Sequence, residues 1–426
     1  MTIKYVDLFS GIGGIRLGVE QALEKFSIKS KCILSCEIDK EACHTYEINF
    51  GENPYGDVCK ISDIENFDLL LAGFPCQPFS YAGKKRGFGD TRGTLFFEVE
   101  RILRKYKPKV ILLENVRGLL THDNGRTFFT IKSTLNEIGY KIKYFLLNSS
   151  NFGVPQNRVR LYIIGIYKNE PNMSLFTDLG ASDSHKFKNL IPQKSLLDLL
   201  EQKKYKTIET ILEKNVPEKY YCSKEFEQKL KHYIGDNLYK LNGYRLIDYR
   251  GGNSLHSWEI GTKGYCSKEE IVFMNLLIKN RRKSIFGSEQ DGKKLTIEQI
   301  KTFYNDNNIL EVISSLKSKG YLKEIDGKFN PVCGNMSFEV FKFIDPQSIS
   351  ITLTSSDANR LGIIRNNRPC HITPRECARL QGFPDDFKLH NNDKFAYKQL
   401  GNSVSVPVIR AIMEDLLSKN LNTLGW

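Results

Sequence analysis

Two side chains able to take part in covalent chemistry follow apolar segments that resemble buried strands. Cys76 comes shortly after residues 68–72, and a proline stands close to it on either side, so neither a regular helix nor a sheet ladder can hold this thiol. Glu114 directly follows the apolar residues 110–113. Open α/β sheets place ligands beyond the carboxyl ends of their strands, so this pair indicates a nucleophile with an acid partner. The pattern predicts an enzyme.

A glycine-rich turn joins the first predicted strand, at residues 3–8, to the first predicted helix. Gly11, Gly13 and Gly14 leave the backbone and the helix N-terminus open to a ligand. The spacing is Gly-x-Gly-Gly, without the third glycine of the dinucleotide fingerprint and without a phosphate-binding lysine. This turn alone is therefore a weak signal for a nucleotide.

Two acids strengthen that signal. Glu37 and Asp57 come at the ends of the second and third predicted strands, where a carboxylate accepts hydrogen bonds from ribose hydroxyls. Either residue alone could be an ordinary loop acid. The two acids at successive strand ends favour a ligand that contains adenosine.

The composition of the 426 residues fits a soluble globular protein with a polyanionic partner. A net charge of +13 favours nucleic acid, although a lysine-rich proteome would give the same balance. No apolar stretch approaches the roughly 18 residues that cross a bilayer, and the N-terminus has no signal-peptide layout, so we expect a cytoplasmic protein. The ten cysteines stand singly, so neither a disulfide framework nor a metal site is predicted.

The order of elements predicts the fold class. Strand and helix patterns alternate over residues 1–170, which indicates a doubly wound, mostly parallel α/β sheet. The predicted strands are 3–8, 31–36, a short one near 55–57, 68–72, 110–113, 140–147 and 160–167, and the predicted helices are 15–25, 40–50, 95–106 and 126–138. Beyond residue 170 this alternation ends. Helices at 267–283, 296–305 and 309–319 and a hairpin at 320–332 are compatible with a winged-helix module or with a plain helical insertion.

Seven ordered motifs resemble those of bacterial DNA (cytosine-5) methyltransferases of the restriction–modification type. They are residues 7–14, 73–80, 91–97, 114–116, 156–160, 375–384 and 401–404. The resemblance implies a Rossmann-like S-adenosylmethionine-dependent methyltransferase fold with a smaller, irregular target-recognition domain. It also implies S-adenosyl-L-methionine as the cofactor, double-stranded DNA as the substrate, a functional association with a restriction endonuclease, and a monomer.

The same resemblance divides the chain into four parts. Residues 1–170 would form the catalytic, cofactor-binding domain, and residues 171–372 the target-recognition domain, with the winged-helix candidate near 267–334. Residues 373–400 would form a hinge with a motif helix. Residues 401–426 would supply a C-terminal helix, predicted at 407–417, that completes the catalytic domain.

Cytosine chemistry gives the motif residues their expected roles. C5 is a poor nucleophile, and a thiolate that adds to C6 makes it an enamine carbon, so Cys76 is the candidate nucleophile. Glu114 would donate a proton to N3, with Asn115 in support. Arg160 would bind the O2 side of the base, and Arg158 would support it. Because C5 is inaccessible inside a stacked duplex, the base must be flipped out.

The binding residues follow from the motifs and from the loop after the nucleophile. Cofactor contacts are expected from Phe9, Ser10, Gly11, Gly13, Gly14, Glu37, Asp57, Pro75, Thr94, Leu95, Asn402 and Ser403. DNA contacts are expected from Ser80, Lys84, Lys85, Arg86, Gln156, Arg250 and Thr352. Of these, Arg250 lies in a hypothetical base-reading loop within residues 242–258. The basic clusters 281–283 and 293–294 would hold phosphates or form a solvated charged face.

Other functions remain open at this point. An adenine-N6 or cytosine-N4 methyltransferase would need an Asp/Asn/Ser-Pro-Pro-Tyr/Trp strand end, which the chain lacks. A tRNA cytosine-5 methyltransferase shares the core chemistry, but the long segment after residue 170 favours DNA. A catalytically silent DNA-binding regulator is disfavoured because Cys76, Glu114 and Arg160 are all intact.

Overall fold

A computed structural model describes residues 2–75, 95–173, 206–248, 253–288, 293–332 and 338–426. The chain divides into two compact units. The first comprises Met1–Leu212, Ile349–Ala358 and Pro374–Trp426, and the second comprises Glu213–Ser348 and Asn359–Thr373. The first unit therefore reaches beyond the predicted boundary at residue 170 and takes in a short segment of the predicted recognition domain.

A six-stranded sheet forms the centre of the first unit. Its strands are β1 (Thr2–Leu8), β2 (Lys29–Cys36), β3 (Leu69–Ala72), β4 (Val110–Val116), β5 (Tyr140–Asn148) and β6 (Val159–Tyr167), in the order β2-β1-β3-β4-β6-β5. The first four strands are parallel, and β6 is antiparallel to both of its neighbours. The predicted fold class is confirmed. The third strand expected near 55–57 is reduced to one parallel bridge between Cys36 and Tyr55.

Both faces of this sheet are covered, which explains the continuous apolar runs in the sequence. The covering helices include α1 (Gly14–Lys25), α2 (Lys40–Phe50), α3 (Leu95–Tyr106) and α4 (Arg126–Ile138). Successive side chains of β3 alternate between two apolar clusters: Leu69 and Leu71 belong to the cluster that contains α1, and Leu70 to the cluster that contains α3 and α4. Helices α2, α3 and α4 have the predicted bounds.

Short elements make up the second unit. They are α5 (Lys224–Ile234), β7 (Arg245–Leu246), β8 (Ser254–Leu255), α6 (Lys268–Asn280), α7 (Ile297–Lys301), α8 (Ile309–Ser318), β9 (Leu322–Ile325), β10 (Lys328–Pro331), β11 (Lys342–Phe343), β12 (Leu361–Arg365) and β13 (Arg368–His371). Five of the strands form a sheet in the order β13-β12-β11-β7-β8, and β9 pairs with β10 in a hairpin.

Residues 267–332 have the order of elements of a winged helix. Helix α6 begins with a capping box between Ser267 and Glu270, and α7 begins with another at Thr296. Just before α7, Leu295 exchanges two backbone hydrogen bonds with Phe329 of the β10 strand, so a third strand position joins the hairpin. The three helices, the β9–β10 hairpin and the bridge at Leu295 enclose one apolar cluster.

The chain then returns to the first unit through α9 (Pro374–Gln381), α10 (Asp393–Asn402) and α11 (Val406–Leu424). A side chain at Gly18 of α1 would meet Ile409 of α11 at 2.7 Å, so the two helices approach closely. Helix α11 is longer than the predicted 407–417. Its polar residue Asn420 is buried and exchanges hydrogen bonds of 2.7 and 2.9 Å with the backbone of Asn172.

Among the described residues, no helix combines the length and the hydropathy that a membrane span requires.

Candidate active site

A cleft of about 560 Å³ opens in the first unit where β1 to β4 end and β6 begins. Its walls bring together residues that are far apart in sequence. The predicted cofactor and catalytic residues that line it are Phe9, Ser10, Gly11, Gly14, Glu37, Asp57, Pro75, Leu95, Glu114, Asn115, Arg158, Arg160, Asn402 and Ser403. Cys76 and Thr94 lie outside the described residues.

The turn after β1 requires its glycines for two different reasons. Gly13 has a φ of 84°, and a side chain there would lie 2.2 Å from the ring of Phe50. A Cβ atom at Gly14 would lie only 2.8 Å from Oγ of Ser403, so the C-terminal motif packs directly on the turn. Gly13 does not line the cleft itself, and its contribution is to shape the turn.

Glu37 stabilises this turn and keeps acceptor capacity for a ligand. One carboxylate oxygen accepts hydrogen bonds from the backbone N–H groups of Ile38 and Asp39, both at 2.8 Å, and the other accepts one from Gly11 at 2.9 Å. A carboxylate offers about four lone-pair positions, so one remains for a hydroxyl group. Asp57 also accepts from the backbone, at Cys59 N, at 3.0 Å.

Among the lining residues that the sequence did not reveal, Ile38 is the most exposed large apolar side chain. It lines the cleft with 75% of its surface exposed, beside Glu37. An apolar side chain in that position offers a contact surface for a ring. An isolated isoleucine after a strand has no pattern that distinguishes it from a core residue, so only the structure identifies it.

Glu114 has the environment of a proton donor. Its side chain is largely buried, and burial raises the pKa of its carboxyl group, while Arg160 and Arg158 oppose that rise. The Nε atom of Arg160 lies 3.4 Å from Glu114 Oε1. A carboxyl group that holds its proton more tightly than usual, next to a cation that lines the same cleft, can donate a hydrogen bond to a base nitrogen.

Asn115 acts on the neighbouring loop. Its amide nitrogen donates to the carbonyl of Phe74 at 2.8 Å, and its amide oxygen accepts from Val116 N at 2.8 Å. The side chain is buried. It therefore fixes the segment that leads to Pro75, and we describe it as a positioning residue.

Arg158 is a buried connector between distant segments. It donates to the carbonyls of Leu353 at 2.7 Å and Gly401 at 3.5 Å, and also to that of Ser403. Burial and the nearby charge of Arg160 lower the pKa of Arg158 to about 10. Arg158 therefore ties the C-terminal motif to the start of β6, and its expected support of Arg160 stays a prediction.

The DNA-contact prediction for Gln156 is corrected. Its side chain is fully buried and donates to the carbonyl of Leu380 at 2.8 Å, while its oxygen accepts from Leu353 N at 3.0 Å. These partners come from segments about 200 residues away, and they leave no surface for DNA. Thr352 is accessible, although its hydroxyl donates to the carbonyl of Asn157 at 2.6 Å.

The remaining predicted DNA contacts have different outcomes. Ser80, Lys84, Lys85, Arg86 and Arg250 lie outside the described residues. In the second unit, Lys293 is buried and donates to the carbonyls of Lys283 at 3.0 Å and Gly287 at 2.6 Å. Arg281 is also buried and donates to Asn330 at 2.9 Å. Neither of these two cations is a phosphate contact, because each one is used inside the fold.

The sheet order, the glycine turn and the acids at the strand ends define an α/β enzyme with the Rossmann-like fold of methyltransferases. Its family is also shown. Residues 3–418 match the model of the C-5 cytosine-specific DNA methylases, and the chain belongs to that family. It is therefore an enzyme that methylates C5 of cytosine in DNA, as the sequence predicted.

Relatives and solved structures agree with this assignment. The type II methyltransferase M.BanI of Aneurinibacillus aneurinilyticus is 63% identical over 424 residues, which cover 100% of this chain and 98% of the relative. M.NlaIV of Neisseria lactamica is 41% identical over 447 residues, with coverages of 97% and 99%. The crystal structure of the S. pombe Dnmt2 methyltransferase has a TM-score of 0.53 at 18% identity and covers 98% of each chain, which supports the fold.

Proposed function

We propose that the enzyme transfers the methyl group of S-adenosyl-L-methionine to a cytosine flipped out of a specific double-stranded DNA sequence, with Cys76 as the covalent nucleophile. One observation carries the proposal. The buried Glu114 carboxyl, with its raised pKa and its neighbour Arg160, lines the same cleft as the glycine turn and Pro75, the residue directly before Cys76.

The cleft suits the proposed cofactor in size and in chemistry. Its volume of about 560 Å³ falls in the range of small-molecule sites. The free acceptor position of Glu37 fits a ribose hydroxyl, and the exposed face of Ile38 fits an adenine ring. Gly11, Asn402 and Ser403 would surround the remainder. When bound, S-adenosyl-L-methionine supplies an electrophilic methyl group.

The residues of this chain would act on the base. The thiolate of Cys76 adds to C6, which breaks the C5–C6 double bond and moves electron density toward C5 and N3. Glu114 donates its proton to N3, and Arg160 donates hydrogen bonds to O2, so the developing charge is stabilised at both atoms. After C5 has been methylated, a base such as water removes the C5 proton, and the sulfur leaves C6 as the double bond re-forms.

Recognition of DNA would involve the second unit. In helix-turn-helix proteins a helix enters the major groove, and its N-terminal residues meet base edges. Helix α8 of the winged-helix segment exposes Leu310, Glu311 and Ser314 along one side. A glutamate accepts from cytosine N4, and an apolar side chain contacts the methyl group of thymine. We propose that this side of α8, together with Thr352 and the predicted contacts at residues 80–86 and Arg250, touches the DNA.

Exchange of two α8 residues tests this part of the proposal. Glu311→Ala and Ser314→Ala should each weaken binding to the unmethylated target sequence by about 1–3 kcal/mol, with little change for unrelated DNA. Glu225→Ala, on α5 of the same unit, is the matched control. Equal losses on target and unrelated DNA would remove α8 from the reading of bases.

The biological setting follows from the relatives. The type II methyltransferases among them favour a role in which this enzyme protects host DNA from a cognate restriction endonuclease. We propose that it acts on this DNA in the cytoplasm. We propose that it acts as a monomer and that its association with the endonuclease is functional.

The decisive experiment uses tritiated S-adenosyl-L-methionine with genomic DNA that lacks cytosine methylation, and bulk tRNA in parallel. The native chain should label DNA, and Cys76→Ser should label nothing. Cys59→Ser, at an exposed cysteine of the same unit, is the matched control and should retain activity. Sequencing of the product identifies the target.

A second substrate tests the covalent step directly. Target DNA with 5-fluorocytosine has no C5 proton to lose, so elimination is blocked and the enzyme should remain attached to it through Cys76. Labelling of tRNA alone would replace the DNA proposal. DNA labelling that survives in Cys76→Ser would overturn the role of this thiol.

A further inference from the structure

Three side chains of the second unit bring a thiol, a carboxylate and an imidazole together. Cys222 precedes α5, Glu339 lies between β10 and β11, and His371 is the last residue of β13. One possible ligand atom of each lies within 4.8 Å of the corresponding atoms of the other two. None of these residues lines the catalytic cleft.

We propose that this Cys222–Glu339–His371 cluster binds a zinc ion. Cysteine sulfur, histidine nitrogen and carboxylate oxygen are the ligands that zinc takes in proteins. A thiolate with an imidazole favours zinc over magnesium or calcium, which prefer oxygen ligands. In the described residues the group has three members, so water would complete a tetrahedral site. The cluster was not predicted from sequence, because its members stand singly.

The imidazole is oriented as it is in metal sites. Nδ1 of His371 lies 2.9 Å from the carbonyl oxygen of Asn359. A carbonyl can only accept, so Nδ1 carries the proton and Nε2 keeps its lone pair. Zinc-binding histidines commonly donate their second ring nitrogen to a carbonyl or a carboxylate, which fixes the tautomer and the ring.

The carboxylate is also held in place. Ser223 donates to Glu339 twice, once from its backbone N–H at 2.9 Å and once from its hydroxyl group. Ser223 directly follows Cys222, so the same short segment supplies one ligand and orients another. Hydrogen-bonded carboxylates of this kind surround metal sites in proteins.

The backbone holds the three ligands before any ion binds. Cys222 is 3% exposed, and its N–H donates to the carbonyl of Pro369 on β13 at 2.9 Å. On the next strand, Gly362 pairs with His371, and a side chain at Gly362 would meet Val340 at 2.6 Å. The missing side chain at Gly362 therefore lets the Val340 segment, which carries Glu339, approach the strand pair. A zinc ion would join three segments that β-sheet pairing has already brought together.

Metal analysis of the full-length protein tests the proposal. After dialysis against zinc and then against metal-free buffer, the native chain should retain about one zinc per chain, because the backbone already holds the three ligands in place before the ion binds. Cys222→Ala and His371→Ala should each lose it. Cys266→Ala is the matched control, because Cys266 is a half-buried cysteine of the same unit and lies beside Glu270.

Cobalt replacement identifies the ligands. Cobalt-loaded native protein should show a thiolate-to-metal charge-transfer band and the intense visible bands of a tetrahedral site. The charge-transfer band should be absent in Cys222→Ala and present in Cys266→Ala. A chelator should lower the unfolding temperature of the native chain and leave that of Cys222→Ala unchanged.

Three results would overturn the proposal. They are a native chain that retains no zinc after dialysis, zinc that persists in both ligand variants, and a cobalt spectrum without a thiolate band. If Cys222→Ala does not fold by circular dichroism, the half-buried ligands provide the test, through His371→Ala and Glu339→Gln. None of these readouts depends on methylation activity, so the proposed catalytic function stands or falls separately.

Discussion

The two units of the chain use their buried polar groups differently. In the first unit, buried side chains such as Gln156 and Arg158 join segments about 200 residues apart at the edge of a long-stranded sheet. In the second unit, the five-stranded sheet contains strands of two residues, and buried polar groups such as Asp248 and Lys293 form hydrogen bonds with partners 6 to 11 residues away in sequence. Covalent chemistry on a base needs groups fixed to within a fraction of an ångström, whereas a recognition surface can be assembled from smaller pieces.

The largest effect is expected at Glu114, the proposed proton donor in the first unit. Glu114→Gln should lower kcat by about 10²–10⁴-fold and leave cofactor binding unchanged, because the amide cannot transfer a proton to N3. Glu137→Gln, on the exposed side of α4, is the matched control. A loss of less than tenfold would show that N3 is not protonated by this residue.

The same variant makes a pH prediction. Only the protonated Glu114 can donate, so kcat of the native enzyme should fall as pH rises through the pKa of this carboxyl group. Burial raises that pKa, which shifts the fall toward neutral pH. The alkaline decline should disappear in Glu114→Gln when kcat is followed across the pH range.

Substitution of Arg158 should mainly lower stability, and substitution of Arg160 should mainly lower the rate of catalysis. Arg158→Ala leaves the carbonyls of Leu353, Gly401 and Ser403 without their donor, so the free energy of unfolding should fall by about 3–5 kcal/mol. Arg160→Ala should cost about 10²–10³-fold in kcat with a smaller loss of stability. Chemical denaturation and single-turnover rates measure both, and equal losses of stability would contradict the distinction.

A core truncation tests whether the second unit has its own stability. Leu316 is fully buried in the cluster that α6 and α8 share, so Leu316→Ala should lower the free energy of unfolding of the second unit by about 2–5 kcal/mol. Calorimetry should show one transition that shifts and another that does not, with cofactor affinity retained. The matched change in the first unit is Ile412→Ala in α11. Loss of cofactor binding in Leu316→Ala would show that the two cores unfold together.

The smallest effect is a pH slope from Asp7. This residue of β1 is fully buried, neither of its oxygens has a hydrogen-bond partner in the described residues, and burial raises its pKa to about 8. The folded state therefore binds its proton more tightly than the unfolded chain, and stability falls as pH rises from the ordinary aspartate pKa to that value. Between pH 6 and pH 7, the free energy of unfolding of Asp7→Asn should rise by up to about 1.4 kcal/mol relative to that of the native chain. Parallel unfolding curves at both pH values measure it, and an unchanged difference would place Asp7 in its ordinary ionised form.

Local patterns predicted much of the catalytic unit. The apolar runs of β3 and β4 located the strand ends, and α2, α3 and α4 have the predicted bounds because their apolar residues recur at helical spacing between clear start and stop signals. The winged-helix segment was one of two interpretations, since short helices carry little periodicity. There α6 ends at Asn280 and α7 at Lys301, both earlier than predicted.

The motifs in the sequence predicted the chemistry, because each motif sets its residue types and their place after a strand or before a helix within a few positions. Which polar groups are used inside the fold depends on the tertiary structure. Gln156 and Lys293 are residue types that often contact nucleic acids, but here both side chains are buried. Gln156 bonds a partner distant in the sequence, and Lys293 bonds a neighbouring loop. Cys222 is more than a hundred residues from Glu339 and His371 in the sequence, and only strand pairing brings the three together. Local patterns are short-range, whereas burial and ligand geometry depend on contacts between distant segments.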